Sequence, residues 1–285
     1  MSKATETFTV EKATQMVKAV ALLHDSVGTY INENNNRPTP QSQAYTELHE
    51  FVKPEFIRAA YSQANALIEV AGDHLYASTR VLTELVQTIA PWNCVRAVLE
   101  TSAIAAWILD PELDAKVRVS RSFAFRYEGL AQQLKFAQAC KERSLINDAE
   151  KRITEVEAEA LALGFERVED RKGNRIGIAE KMPSNTNVIR EVLDEEVSYR
   201  LLSAMTHAHH WAYQQLGFEV IHEGDRVFLE KSLKPIYVAY LCSIAVKAFL
   251  KPVSYFAQLN GWDSDRLSEA IKPGLEILST PVKSK

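Results

Sequence analysis

Along most of the chain, apolar residues recur at spacings of three and four, the period of amphipathic helices. Val10, Ala13, Val17, Val20, Ala21, His24, Val27 and Ile31 predict a helix over 9–34, capped by Thr9. Helical period resumes over 41–90, with a break at Pro54, a bend near Gly72, and Leu75, Leu82, Leu85 and Ile89 on the later stripe. Residues 91–109 open with Pro91 and are apolar nearly all round, so they predict a buried central helix ended by Asp110-Pro111. Further helices are predicted over 112–143, 147–163 (closed by Gly164), 194–215, 233–259 (kinked at Pro252) and 263–278, the last ending near Thr280-Pro281.

Two stretches depart from helical period. Residues 165–183 are polar around Lys172-Gly173-Asn174 and read as a polar excursion or small hairpin, either a mobile flap or, in preference, a plain surface loop. Residues 218–231 alternate on either side of Glu223-Gly224-Asp225, the signature of a β-hairpin. The pattern therefore predicts an all-α protein, a bundle of about seven or eight helices in one domain over 1–285, with a small β-hairpin near 218–230.

Composition narrows the function classes. A net charge of −4 over 285 residues argues against a broad electrostatic footprint for nucleic acid or an anionic membrane, and leaves a local basic pocket open. Cys94, Cys140 and Cys242 are odd in number and far apart, and read as reduced core cysteines of a cytosolic protein. The opening MSKATETFTVEK has no apolar signal core, and no stretch reaches a spanning length free of charge, so a cytoplasmic protein with no membrane partner is expected. Glycine-rich phosphate loops, GxSxG and CxxC are absent, and no cofactor is expected.

Candidate chemistry concentrates in 194–215. On a helix, Arg200, Ser203, His207 and His210 run down one strip, with Arg200 and His207 about 10 Å apart along the axis. The apolar stripe is read as Val197, Leu201, Ala204, Ala208 and Trp211, widened by Leu202, Met205 and Ala212, with Asp194, Glu195 and Glu196 in the first turn. Arginine offers a bidentate fork to phosphate or carboxylate, and histidine can move a proton on or off a hydroxyl. The same residues also fit a structural role, with Arg200 paired to Glu196 and the histidines bonded to backbone carbonyls. His207 and His210 share a face, but two ligands do not make a metal site, and none is expected. Arg96 and Glu100 lie i, i+4 in the apolar 91–109 helix, where charges must pair, either in a functional interior site or in a structural ion pair.

The segment YRLLSAMTHAHH, an arginine and then a histidine after six residues within a helix, resembles the active-site signature of the HEPN superfamily of α-helical bundles. The helix RAVLETSAIAAWIL, with Arg96 and Glu100, resembles a helix of bacterial proteins related to that group. The resemblance covers two helices, and Leu201 stands where active members usually carry a polar residue. It implies metal-independent RNA cleavage of the toxin or defence type, at a site built by a homodimer. His207 would act on the ribose 2′-hydroxyl and Arg200 on the phosphate, with Arg96, Glu100, Ser203 and His210 in support. The competing expectation is a non-enzymatic binding or regulatory module whose polar core holds a small anionic ligand or fixes helix register.

Overall fold

The computed structural model describes residues 9–83, 87–224, 226–231 and 233–279. The expectations placed on Leu85, Asp225, Thr280, Pro281 and the first eight residues lie outside them. The protein is 75% helix and 6% strand, so the all-α class holds. Eleven α-helices appear among the described residues, more than the seven or eight expected, and two small antiparallel hairpins rather than one. The excess comes from short helices that a period cannot register and from one long prediction that divides.

Local chemistry sets the helix boundaries. Thr9 caps α1 (Val10–Glu33) by accepting from Lys12 N at 3.2 Å. Ser42 caps the short α2 (Gln43–Glu50), and Pro54 opens α3 (Pro54–Thr83). Pro91 stands in the first turn of α4 (Ala90–Ile108). Asp114 caps α5 (Ala115–Cys140), and α6 (Arg143–Ala162) follows. Pro235 opens α10 (Pro235–Asn260), which continues through Pro252; α11 (Ser264–Ser279) closes the described chain.

Helix α4 lies at the centre, packed against α3, α10, α8 and α5. Ser102, Ala103, Ala105 and Ala106 are buried there, and their small size lets neighbouring helices approach closely; Trp92, Leu99 and Ile108 fill the wider gaps. Helix α1 packs on α3, α10 and α11 around Leu23, Val27 and Tyr30. By length and composition α10 could cross a membrane, yet 61% of its most apolar window is buried in this core.

One buried ion pair ties the first half together. Arg118 on α5 is fully buried, and its guanidinium donates to both oxygens of Glu47 on α2 and to Ile108 O at the end of α4. Tyr61 on α3 donates to the same carboxylate at 2.8 Å, and burial pushes its hydroxyl well above the ordinary tyrosine range. Arg121 lies over the Trp107 ring and Arg126 pairs with Glu159, so the arginines of α5 serve packing rather than a free basic face.

The 165–183 stretch forms the hairpin β1 (Arg167–Glu169) and β2 (Arg175–Ile178). Arg167 and Arg175 both bond the buried Glu157 of α6, which clasps the hairpin to the bundle. The predicted 218–230 hairpin is present as β3 (Phe218–Glu223) and β4 (Arg226–Lys231), closed by the Glu223–Arg226 pair with Gly224 left-handed at φ 59°.

The predicted helix over 194–215 needs correction. It is preceded by α7 (Asn185–Val188) and a π-helical turn (Ile189–Leu193) that ends at Asp194 in the left-handed region. Helix α8 runs only over Glu196–Thr206, and α9 over His210–Leu216. Between them His209 N bonds Ala204 O and Ala208 N bonds Met205 O, the pair of bonds that closes a helix through a left-handed residue. That residue is Ala208 at φ 50°, where a glycine would be usual. The apolar stripe is also shifted: Leu202, Ala204, Met205 and Ala212 are buried as expected, together with Ser198 and Tyr199, whereas Val197 is 82% and Trp211 54% exposed and Ala208 is exposed.

Candidate functional site

The polar groups of α4 and α8 meet at one place. Arg96 and Glu100 stand one turn apart on α4, each about one quarter exposed, with Arg96 Nε donating to Glu100 Oε1 at 3.0 Å. Tyr199 on the buried face of α8 donates its hydroxyl to the same oxygen at 2.8 Å, and the Arg96 guanidinium lies 5.7 Å from the centre of its ring. His207, the C-cap of α8, completes the group: its Nε2 is 3.2 Å from Arg96 Nη1.

Because a guanidinium only donates, this contact requires a neutral imidazole with its lone pair on Nε2 and its proton on Nδ1. Burial pulls the Arg96 pKa down, but the Glu100 carboxylate and Tyr199 outweigh it and hold Arg96 above its ordinary value. Burial raises the Tyr199 hydroxyl, and its bond to Glu100 raises it further. Arg96 is thus a fixed cation and Tyr199 a fixed donor.

Three of the predicted residues, Arg96, Glu100 and His207, therefore come together. Arg200 is held elsewhere: its Nε and Nη2 both bond Glu196 Oε1, at 2.8 and 2.7 Å, and its side chain is 66% exposed. That bond holds the Glu196 carboxyl below its usual range, and Arg190 lies 3.7 Å from the other Glu196 oxygen. Arg200 follows Tyr199 by one residue, which turns it about 100° around α8 from the face that meets α4. Ser203 is half-buried on α8; His210 starts α9 and is exposed. His209 stands edge-on to His207, with ring centres 6.1 Å apart.

Tyr199 is the site residue that sequence reasoning missed. Its signal was its spacing of three from Leu202, which with Met205 extends the widened edge of the stripe back to Tyr199. Among the described residues, no group of three or more histidine, cysteine or carboxylate side chains is placed to hold a metal ion. No family model matches the chain, and no curated protein or solved structure matches it.

Proposed function

We propose that the protein is a metal-independent ribonuclease of the HEPN-like kind, working in the cytoplasm as a homodimer, with His207 as the proton-transferring residue. The observation that carries this reading is the Arg96–His207 contact: an exposed imidazole beside a permanent cation anchored from behind by Glu100. Once Arg96 Nη1 turns from His207 to the substrate phosphate, the freed Nε2 would take the proton of a ribose 2′-hydroxyl as its oxygen attacks the adjacent phosphorus. The bond to the 5′-oxygen breaks, that oxygen regains a proton from solvent, and the products are a 2′,3′-cyclic phosphate and a 5′-hydroxyl. Arg96 supplies positive charge where the phosphorane carries negative charge, and Arg200 could join once freed from Glu196. Val197 and Trp211, exposed on α8 and α9, offer apolar area for the second copy.

A second reading is favoured by a different observation. Both arginines already have carboxylate partners, Arg96 in Glu100 and Arg200 in Glu196. Such neutralised cations suit a non-enzymatic module that exchanges these partners for a small anionic ligand. Incubating a mixed RNA pool with the purified protein in EDTA, beside His207→Ala, separates the two. Cleavage lost in the variant supports the ribonuclease; intact RNA with both proteins folded supports the binding module.

A further inference from the structure

Away from the α4–α8 cluster, a cavity of about 470 Å3 opens between the α1–α2 loop, α3 and the C-terminal end of α10. That volume lies within the range of small-molecule pockets. Its lining is apolar at Leu48 and Phe256 and carries Arg58, Glu69 and the carboxamides of Asn36, Asn65 and Asn260. A smaller cavity of about 240 Å3 adjoins it and shares Asn36, Asn65 and Glu69.

The walls are built and held. Asn260 is 3% exposed, and its Nδ2 donates to Phe256 O at 2.8 Å, which fixes the amide orientation. Its Oδ1 receives no hydrogen bond among the described residues and is the atom Asn260 has left to offer a ligand. Thr39 bonds Asn260 O through both its N–H and its hydroxyl, at 2.9 and 3.1 Å, and Trp262 Nε1 donates to Arg37 O at 2.7 Å. These bonds pin the loop to the end of α10. Gly261 lets the two approach: a Cβ there would stand 2.4 Å from Thr39 Oγ1. Asn36 lines the cavity from a left-handed backbone at φ 51°, a conformation asparagine tolerates better than most residues.

The charges sit at opposite ends. Arg58 and Glu69 are separated by three turns of α3, about 16 Å along the axis. Arg58 makes no ion pair among the described residues, and Glu69 accepts from Asn65 Nδ2 at 2.8 Å. An extended tripeptide spans about 10 Å between its ends, and the two long side chains close the remainder.

We propose that this cavity binds a short peptide of about three residues by both free ends. Arg58 receives the C-terminal carboxylate and Glu69 the N-terminal ammonium, while Asn260 Oδ1 accepts from a peptide N–H between them. Asn36 and Asn65, each with a donor and an acceptor, match the peptide groups between, and the apolar lining takes a central side chain.

Isothermal titration of the full chain with alanyl-leucyl-alanine and alanyl-phenylalanyl-alanine tests this. Their N-acetylated and C-amidated forms, and the variants Arg58→Ala and Glu69→Gln, complete the set; both residues are exposed, so the variants keep the fold. One-to-one binding is expected, weakened about tenfold or more by blocking either end or by either substitution. The amidated peptide should bind wild type and Arg58→Ala alike, because it has no carboxylate for Arg58 to hold. Absence of binding for both peptides up to about 5 mM overturns the proposal, as does binding that survives blocking of either end or loss of Arg58.

Discussion

Arg96 Nη1 stands 3.2 Å from His207 Nε2, and the guanidinium decides which imidazole nitrogen holds the proton. Nε2 must accept, so Nδ1 is protonated. Nitrogen-15 spectra of histidine-labelled protein at neutral pH should show the Nδ1–H form for His207, and a mixed population in Arg96→Ala. A proton on Nε2 in the wild type would contradict the geometry.

The Arg118–Glu47 pair closes off the first half of the bundle with no exposure at Arg118. Removing one partner leaves the other buried without a counter-charge, which costs about 3–5 kcal/mol. Urea unfolding of Glu47→Gln and Arg118→Met should show losses of that size. By contrast, Arg200→Ala breaks an exposed pair and should shift stability by less than about 1 kcal/mol. Equal effects at the two places would sink this contrast.

Ala208 holds a left-handed backbone at φ 50° where α8 ends. An L-residue there is disfavoured by about 1–2 kcal/mol, and glycine escapes most of that strain. Ala208→Gly should raise the urea midpoint, by a net gain of about 1 kcal/mol, with no change in helix content. A loss of stability would mean that the bonds of His209 and Ala208 do not close the helix as described.

The three cysteines should separate by reactivity. Burial pushes the Cys242 thiol from 9.0 up to about 12 and also raises Cys94, which is half-buried; Cys140 is exposed on the last turn of α5, not in the core as expected. At pH 8 a disulfide reagent should modify Cys140 rapidly, Cys94 slowly, and Cys242 only after unfolding. The sign of the linkage follows: the folded state keeps the Cys242 proton longer than the unfolded state, so this group's contribution to stability falls as pH rises from about 9 toward 12. Rapid labelling of Cys242 in the native protein would refute the packing around α10.

Much of the fold was legible because its boundaries rest on local chemistry. Thr9, Pro54, Pro91, Pro235 and Gly224 each act through their own backbone or side chain, and each stands at the boundary its chemistry implies. The division of 194–215 was not legible, since an alanine takes the left-handed position and the closing bonds are all backbone to backbone. That break, with the shifted stripe of α8, is why Tyr199 rather than Arg200 faces Arg96 and Glu100. The Arg118–Glu47 pair was not legible, because nothing local to Arg118 signals Glu47, which lies 71 residues earlier in the chain. The pairing of Arg200 with Glu196 follows simple i, i+4 spacing and was one of the two readings that the sequence left open.

The most direct test of the central claim is the rate of RNA cleavage in EDTA by wild type, His207→Ala, Arg96→Ala and Arg200→Ala, with product ends read by mass spectrometry. Wild type should leave 2′,3′-cyclic phosphates. His207→Ala should lose about 100-fold or more, and Arg96→Ala a comparable factor. Arg200→Ala should retain more activity than either. Intact RNA with folded wild type, or equal cleavage by wild type and His207→Ala, would contradict the account and leave the α4–α8 cluster as a binding or structural centre.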